Sequence, residues 1–323
     1  MARDEAIRMF QALGSECGAW VIGDSAAGSA EQGTEMVERC LLRWHRRFTR
    51  FDPRSELSML NDDPRETIEV SSMMARFIAA VLEAAELTGG LVDATLLGEI
   101  ERAGYRTDLD ASLPLAEALR LAPARAAAAP HPDARWRGVR LAGRTLHRPV
   151  GVKFDSGGIA KGMFADLLGD ALAAAHSYAV DCGGDVRVGG QGLLRRRVEV
   201  LAPTGGRVVH AFELCDGAVA TSGIAKRSWL DAAGAPAHHL LDPCSGRPAY
   251  TGVVQATALA PTATEAEARS KAALLSGPAG ARAWLPHGGV LVFDDATEAL
   301  VEPDPNPSGS GSLPLPLPRG PLR

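Results

Sequence analysis

Apolar positions recur at helical spacing in two long stretches of the chain, residues 33–48 and 71–90. The second stretch starts at Ser71, a favourable helix N-cap, and ends at Gly89 and Gly90, since glycine suits a helix end. Short strand-like stretches lie at 138–143, 178–184, 186–190, 197–203, 208–214, 253–260 and 288–293. Helices interrupt these strands irregularly, which predicts an α+β fold: one domain over residues 1–300, with an antiparallel or mixed sheet and flanking helices.

Residues 153–168, KFDSGGIAKGMFADLL, place an acid, two adjacent glycines and a lysine in one short turn. The pattern predicts a strand at 146–154 before the turn and an amphipathic helix after it. Paired glycines let backbone N–H groups approach a ligand closely, and a helix N-terminus favours anions. The turn is therefore a candidate phosphate site. A lysine in the first helical turn, Lys161, also needs an anionic partner, because the helix dipole disfavours a cation there.

Composition excludes several classes of protein. The net charge of −5 argues against a general nucleic-acid binder, because such proteins are usually basic. The five cysteines are scattered without a C-x-x-C pair, so we expect neither a disulfide framework nor a structural zinc site. No apolar run approaches the roughly 20 residues of a membrane helix, and we expect a cytoplasmic protein without membrane insertion. Residues 301–323 are rich in Pro, Gly and Ser, which predicts a disordered tail.

Three common catalytic motifs are absent from the sequence. No G-x-G-x-x-G opens a helix after a strand, and GGIAKG differs from the P-loop because its lysine precedes the last glycine. No G-x-S-x-G elbow occurs either. A Rossmann dehydrogenase, a P-loop NTPase and an α/β-hydrolase are therefore disfavoured.

Seven short blocks follow one another along the chain in an order that resembles one enzyme family. They are FTRFDPRSELSMLN (48–61), TGGLVDATLLGEIERAGY (88–105), FDSGGIAKGMFADLL (154–168), DCGGDVRVGG (181–190), AVATSGIAKRSW (218–229), HHLLDPCSGRPA (238–249) and LAPTATEAEARSKAALLSG (259–277). Each block alone is a modest signal, but seven in this order are hard to reach by chance. Over about residues 8–292 the chain resembles the FAD:protein FMN transferases, the ApbE flavin transferases.

The resemblance implies a T-fold-related α+β domain that binds FAD across a central cleft. It also implies magnesium-dependent transfer of the FMN moiety onto a Ser or Thr of an acceptor protein, with release of AMP. Some members of the family hydrolyse FAD to FMN and AMP instead. The alternative is an FAD-binding protein or an FAD pyrophosphatase with weakened or metal-independent transfer, because the metal site of this chain departs from the family pattern.

The resemblance also assigns roles to residues of this chain. The expected FAD contacts are Leu13, Phe51, Leu91, Val92, Asp93, Asp155, Lys161 and Leu241. His239 matches the position that helps to activate the attacking hydroxyl, and Lys161 supplies a fixed positive charge for the phosphates. The expected metal ligands are the Gly158 carbonyl and the side chains at Glu267 and Lys271. Asp155 and Asp93 could instead each cap the helix that follows, and His239 could be a turn residue.

The last block is where the chain departs from the family. Members typically read A-D-x-L-A-T-A there, whereas this chain has Glu267 and Lys271 in place of the Asp and the Thr. A protonated lysine has no lone pair for a metal. One interpretation is local: Thr264 to Glu267 match a capping box, and Glu267 and Lys271 match an (i, i+4) ion pair. Another is that Lys271, held by Glu267, places its ammonium where the metal charge would lie.

Overall fold

The computed structural model describes residues 4–109 and 111–305, so most of the predicted tail lies outside the described residues. Its α-helices are α1 (Ala30–Phe48), α2 (Glu56–Asp62), α3 (Ser72–Leu87), α4 (Leu97–Arg102), α5 (Leu115–Leu121), α6 (Ala160–Leu172), α7 (Ala263–Leu275) and α8 (Gly277–Gly280). The strands of the main sheet are β1 (Glu5–Ala12), β2 (Ser15–Ile22), β6 (Ser177–Asp181), β7 (Asp185–Gly189), β10 (Gly217–Gly223), β15 (Val253–Ala260), β16 (Gly289–Phe293) and β17 (Glu298–Val301). The smaller sheets use β3 (Thr67–Glu69), β4 (Arg140–Ala142), β5 (Thr145–His147), β8 (Arg196–Leu201), β9 (Val208–Leu214), β11 (Ser228–Leu230), β12 (Pro236–His238), β13 (Leu241–Asp242) and β14 (Arg247–Pro248).

The main sheet runs in the order β1-β2-β6-β7-β10-β15-β16-β17. Every neighbouring pair in it is antiparallel. The α+β prediction with an antiparallel sheet is confirmed.

Helices α1, α6 and α7 pack on the sheet, and α3 packs on α6 and α7. An aromatic cluster joins α1, α3 and α6. Phe48 lies 5.3 Å from Phe77 and 5.5 Å from Phe164 in edge-to-face geometry, and Trp44 lies 5.0 Å from Phe164, all between ring centroids. Each such pair contributes about 0.5–1.5 kcal/mol beyond its buried area. This core fixes the helix α6, whose N-terminus forms part of the site.

The β8–β9 hairpin is anchored to the main sheet by side chains at both ends of β8. Arg196 Nε donates to Ser177 Oγ at 2.8 Å, and Gln255 Nε2 donates to the Leu201 carbonyl at 2.8 Å. The hairpin therefore stands over the sheet and leaves a groove beneath it.

The predicted strand at 146–154 is wrong beyond His147, where β5 ends. Pro149 has no N–H for a ladder, and Gly151 has φ +81°, outside the strand region. The segment is held by a side chain instead, because Asn61 bonds both backbone groups of Phe154 at 2.8 Å.

Candidate active site

The turn at 155–158 is stabilised by its own residues. Ser156–Gly158 form a 3-10 turn, and Asp155 Oδ1 accepts from the Gly157 N–H at 3.4 Å. Arg50 Nε lies 3.6 Å from the same oxygen. Asp155 thus caps the 3-10 turn. The interpretation that it caps the following helix is wrong, because α6 begins after Ile159 without a side-chain cap.

The last glycine of the motif, Gly162, serves helix packing. A Cβ there would lie 2.4 Å from the Ala263 carbonyl oxygen at the start of α7. The Gly162 N–H donates to Glu267 Oε2 of α7 at 2.8 Å, and Asp166 of α6 accepts from the N–H groups of Ala263 and Thr264 at 2.7 and 2.9 Å. A carboxylate of each helix therefore binds the N-terminus of the other.

Four charged side chains, Lys161, Asp185, Glu267 and Lys271, form what we call the charge cluster. Lys161 pairs closely with Asp185, and its Nζ lies 3.9 Å from Glu267 Oε1. Lys271 Nζ donates to Glu267 Oε1 at 2.7 Å. The lysine side chains are 15% and 9% exposed, and both carboxylates are 1% exposed. Two cations balance two anions, so the buried cluster has no net formal charge.

The protonation states of the cluster follow from burial and pairing. Burial lowers the pKa of Lys161, but the Asp185 and Glu267 carboxylates outweigh it, and the net shift is upward. Burial and the Asp185 carboxylate raise the pKa of Glu267, the Lys271 and Lys161 ammonium groups lower it, and the net shift is upward. Both Glu267 oxygens accept hydrogen bonds, which is the arrangement of an ionised carboxylate. Lys161 is therefore a fixed cation near neutral pH.

Two cavities meet at the charge cluster. The larger, the groove, has a volume of about 1210 Å³ and lies between the main sheet and the β8–β9 hairpin. The smaller, the inner cavity, has a volume of about 70 Å³ and lies beside the 155–158 turn. His239 and Lys271 line both cavities. A ligand that spans the two would pass these side chains.

Most of the residues predicted to contact FAD or metal gather at the inner cavity. Its lining includes Leu91, Val92, Asp93, Asp155, Gly158, His239, Leu241 and Lys271. Lys161 lines the groove. Residues more than 170 positions apart in the chain thus line one cavity.

The other three predicted site residues, Leu13, Phe51 and Glu267, lie one contact away from the cavities. Leu13 precedes Gly14, which lines the groove. The Phe51 ring packs 5.5 Å from the ring of Tyr105, another groove residue. Glu267 lies behind Lys271 and bonds it.

Asp93 presents an unpaired carboxylate oxygen. Its Oδ1 accepts from the Thr95 N–H and hydroxyl at 2.8 and 2.7 Å, so Asp93 shapes the turn before α4 without capping the helix. Its Oδ2 is buried and has no hydrogen-bond partner within the described residues. Buried polar atoms are nearly always bonded, so Oδ2 is available to a ligand in the inner cavity.

His239 has the properties of a base. Its Nδ1 lies 3.4 Å from the Arg227 carbonyl, which can only accept, so Nδ1 carries the proton and Nε2 keeps its lone pair. Burial, together with the charges of Arg227 and Lys271, holds the pKa of His239 well below its usual value. The imidazole is therefore neutral at physiological pH.

Arg227 connects the His239 segment to the β1–β2 turn. Leu13 and Gly14 have φ +56° and +68°, the left-handed values of a tight hairpin. Arg227 Nη2 donates to the Leu13 carbonyl at 2.9 Å, and His45 Nδ1 accepts from the Leu13 N–H at 2.8 Å. Leucine is an unfavourable residue at such a φ, and both of its backbone groups are bonded to side chains.

Sequence reasoning missed Asp185, Arg227 and Tyr105. The need of Lys161 for an anionic partner was a signal for Asp185, but nothing in the sequence indicated which acid meets it. Tyr105 stacks on Trp229 at 5.1 Å, and the Arg50 guanidinium lies 4.4 Å from the Tyr105 ring centroid. This aromatic row borders the groove and was not visible in any local pattern.

The two side chains that the resemblance assigns to magnesium, Glu267 and Lys271, do not fit a divalent cation. Glu267 already gives one oxygen to the Gly162 N–H and the other to Lys271. The Lys271 ammonium has no lone pair, and two ammonium groups next to Glu267 repel a further cation. Residues 4–109 and 111–305 contain no group of three or more His, Cys, Asp or Glu side chains placed to hold a metal ion.

No helix among the described residues is both long and apolar enough to span a membrane.

Comparison with known proteins agrees with this geometry. The sequence profile of the ApbE family matches residues 13–293. A curated FAD:protein FMN transferase from Treponema pallidum (strain Nichols) is 33% identical over 142 residues, which are 40% of this chain and 39% of that protein. The chain thus matches well under half the length of this relative.

Solved structures share the fold over nearly the whole chain. An ApbE protein from Thermotoga maritima MSB8 is 27% identical with a TM-score of 0.73, over 93% of this chain and 97% of that one. The flavin transferase ApbE from Vibrio cholerae is 19% identical with a TM-score of 0.69, over 94% and 98%, and shows the fold alone. Because the family profile spans most of the sequence, the chain belongs to the ApbE family.

Proposed function

We propose that this protein transfers the FMN moiety of FAD onto a Ser or Thr hydroxyl of an acceptor protein and releases AMP. The observation that carries the proposal is the junction of two cavities of unequal size at His239 and Lys271, next to Lys161. A dinucleotide has the matching shape: two ring systems joined by a diphosphate. The name of the Treponema relative, FAD:protein FMN transferase, supports the same activity.

We place the three-ring flavin in the groove, near Tyr105, because the groove is the larger of the two cavities. The adenine end lies in the inner cavity against the apolar side chains of Leu91, Val92 and Leu241. The diphosphate then lies at the junction, beside the two lysines.

The chemistry requires positioned charge and one proton acceptor. The acceptor hydroxyl oxygen attacks the phosphorus of the FMN half, and a new P–O bond forms. The bond from that phosphorus to the bridging oxygen breaks, and AMP leaves with this oxygen and its electron pair. The hydroxyl proton passes to Nε2 of the neutral His239, while Lys161 stabilises the charge on the phosphate oxygens.

The acceptor is a protein segment with an accessible Ser or Thr that reaches the junction through the groove. We place the reaction in the cytoplasm, since all five cysteines are unpaired and three of them are buried thiols, as a reducing compartment allows.

The test is covalent labelling. The protein is incubated with FAD and a candidate acceptor, and flavin fluorescence is read on a denaturing gel. His239→Gln should reduce labelling about 100-fold or more while FAD affinity changes little, because the residue acts as the base. His147→Gln is the matched control, since this exposed histidine on β5 bonds Thr67 away from both cavities.

Two outcomes would contradict the proposal. One is tight FAD binding without a labelled band for any Ser- or Thr-containing acceptor. The other is release of FMN and AMP without labelled protein, which would make the enzyme an FAD pyrophosphatase.

A further inference from the structure

The position of Lys271 is unusual for a lysine. It lies within α7, its side chain is 9% exposed, and the residue lines both the groove and the inner cavity. Buried lysines are rare unless they are paired. Here the pairing is with Glu267 of the same helix at 2.7 Å, four residues earlier.

The pair leaves donors for a ligand. An ammonium group has three N–H donors, and within the described residues the hydrogen-bond partner of Lys271 is Glu267. Two donors are therefore available at the junction. Lys161 contributes a second cation, fixed by Asp185.

The same geometry disfavours a divalent ion. Glu267 Oε1 has one ammonium at 2.7 Å and another at 3.9 Å, and Oε2 accepts from the Gly162 N–H. A metal that took Glu267 as a ligand would have to displace Lys271 and leave its charge buried without a partner, which is costly.

We propose that Lys271, held in place by Glu267, is a built-in cation for the FAD diphosphate, so that FAD binds and reacts without a divalent metal ion. This inference rests on the proposed function, because it takes the dinucleotide diphosphate as the ligand at the junction. Ammonium–phosphate hydrogen bonds are charge-assisted and strong, and they are stronger in a site shielded from water.

The first experiment measures FAD binding by flavin fluorescence, in excess EDTA and in magnesium. The dissociation constant should agree within about twofold between the two buffers. Lys271→Met should weaken FAD binding about tenfold or more in both, since a hydrogen bond between charged groups is lost. Lys153→Met is the matched control and should bind as the wild type, because Lys153 pairs with Asp62 at the surface.

Lys271→Met leaves Glu267 buried without its partner and risks misfolding. The double variant Glu267→Gln/Lys271→Met removes both charges with little change in volume, so it should fold and still bind FAD about tenfold more weakly. The double variant Glu267→Asp/Lys271→Thr restores two oxygen ligands. It should bind FAD weakly in EDTA and about tenfold more tightly in magnesium.

The outcomes separate this inference from the proposed function. If EDTA weakens FAD binding tenfold and magnesium restores it, or if the charge-free double variant binds as the wild type, the built-in cation is refuted. If acceptor labelling occurs only with magnesium, the inference fails while the transferase proposal stands. If FAD binds equally in EDTA but no acceptor is labelled, the transferase proposal fails and the built-in cation for diphosphate binding stands.

Discussion

At the scale of single residues, Gly162 shows how a motif that predicts phosphate binding can have a packing role. Paired glycines before a helix suggested a backbone cradle for an anion, and Gly157 does line both cavities. Gly162 instead lets two helices approach so closely that its N–H reaches Glu267. Whether Gly162 binds a ligand or packs against a helix depends on Glu267, 105 positions away, so no local pattern could reveal its role.

Replacing Gly162 by Ala should destabilise the fold by about 1–3 kcal/mol, because the new methyl group overlaps the Ala263 backbone. Chemical denaturation measures the loss. Gly98→Ala is the control: this helical glycine has only the flexible end of Arg102 within 4 Å, at 3.6 Å, and alanine favours a helix there. Equal stability of the two variants would contradict the tight contact.

His238 predicts a pH dependence. Its ring is fully buried against Tyr250, and burial lowers its pKa from 6.5 to about 3. Below pH 6.5 the unfolded chain takes up a proton that the folded chain refuses, so this histidine makes stability fall as the pH falls from 6.5 towards 3.

In His238→Asn the amide oxygen can replace Nδ1, which accepts from the Leu240 N–H. The free-energy cost of the substitution should be about 2 kcal/mol smaller at pH 5 than at pH 7.5, because the variant has no group to protonate. Urea unfolding at both pH values provides the comparison. If the free-energy cost of His238→Asn is independent of pH, His238 has the same pKa in the folded and the unfolded chain.

At the scale of elements, α6 and α7 bind each other's N-termini. Asp166 accepts from the first backbone N–H groups of α7, and Glu267 accepts from Gly162 in the first turn of α6. Each carboxylate satisfies orphan donors and meets the positive end of a helix dipole. The two helices are therefore locked in the register that places Lys161 next to Glu267.

Asp166→Ala should destabilise the protein by about 1–3 kcal/mol, since three donors at the start of α7 lose a charged acceptor. Asp170→Ala is the control and should change stability little, because Asp170 is exposed near the C-terminal end of α6. Thermal and urea unfolding measure the stability of both variants. If Asp166→Ala matches Asp170→Ala, the cap contributes nothing.

Element boundaries were predictable where the signals were local. Ser71 caps α3 and Gly89 follows its end in the left-handed conformation, as the sequence indicated. The capping box at Thr264 was wrong, and the (i, i+4) pair of Glu267 with Lys271 was right. Thr262 is the cap, and the Thr264 hydroxyl bonds Asp166 instead. Both threonines precede a glutamate by three residues, so only the neighbouring helix distinguishes them.

Strands β1 and β2 were not anticipated, and in the edge strand β1 the usual burial pattern is inverted. Ile7 and Met9 are 58% and 46% exposed, while Arg8 between them pairs with Glu35 and Glu38 of α1. An edge strand whose polar residue faces a helix does not show the usual alternation.

At the scale of the whole molecule, the resemblance named parts of the chain that the fold brings together, and tertiary structure supplied their arrangement. Residues from Leu91 to Lys271 line one small cavity. Lys161 of α6 meets its partner Asp185 on strand β7, and the groove exists because the β8–β9 hairpin stands over the sheet. Both features depend on contacts between residues that are far apart in the chain, and no local sequence pattern indicates such contacts.

A chain that ends at residue 305 should unfold at the same temperature and bind FAD as the full chain does. The composition of residues 306–323, rich in Pro, Gly and Ser, offers too little apolar surface to stabilise a domain. Calorimetry and FAD titration of the two chains test this. A lower unfolding temperature of the shorter chain would assign the segment a structural role.

The ion pair between Glu267 and Lys271 has a consequence for how this sequence can diverge. Changing either residue alone leaves a buried charge without its partner, whereas changing both together to oxygen ligands or to neutral side chains avoids that state. In an alignment of related chains, the two positions should therefore covary. Lysine at the second position should occur almost only with an acid at the first, so the pair would mark a subgroup recognisable from sequence alone.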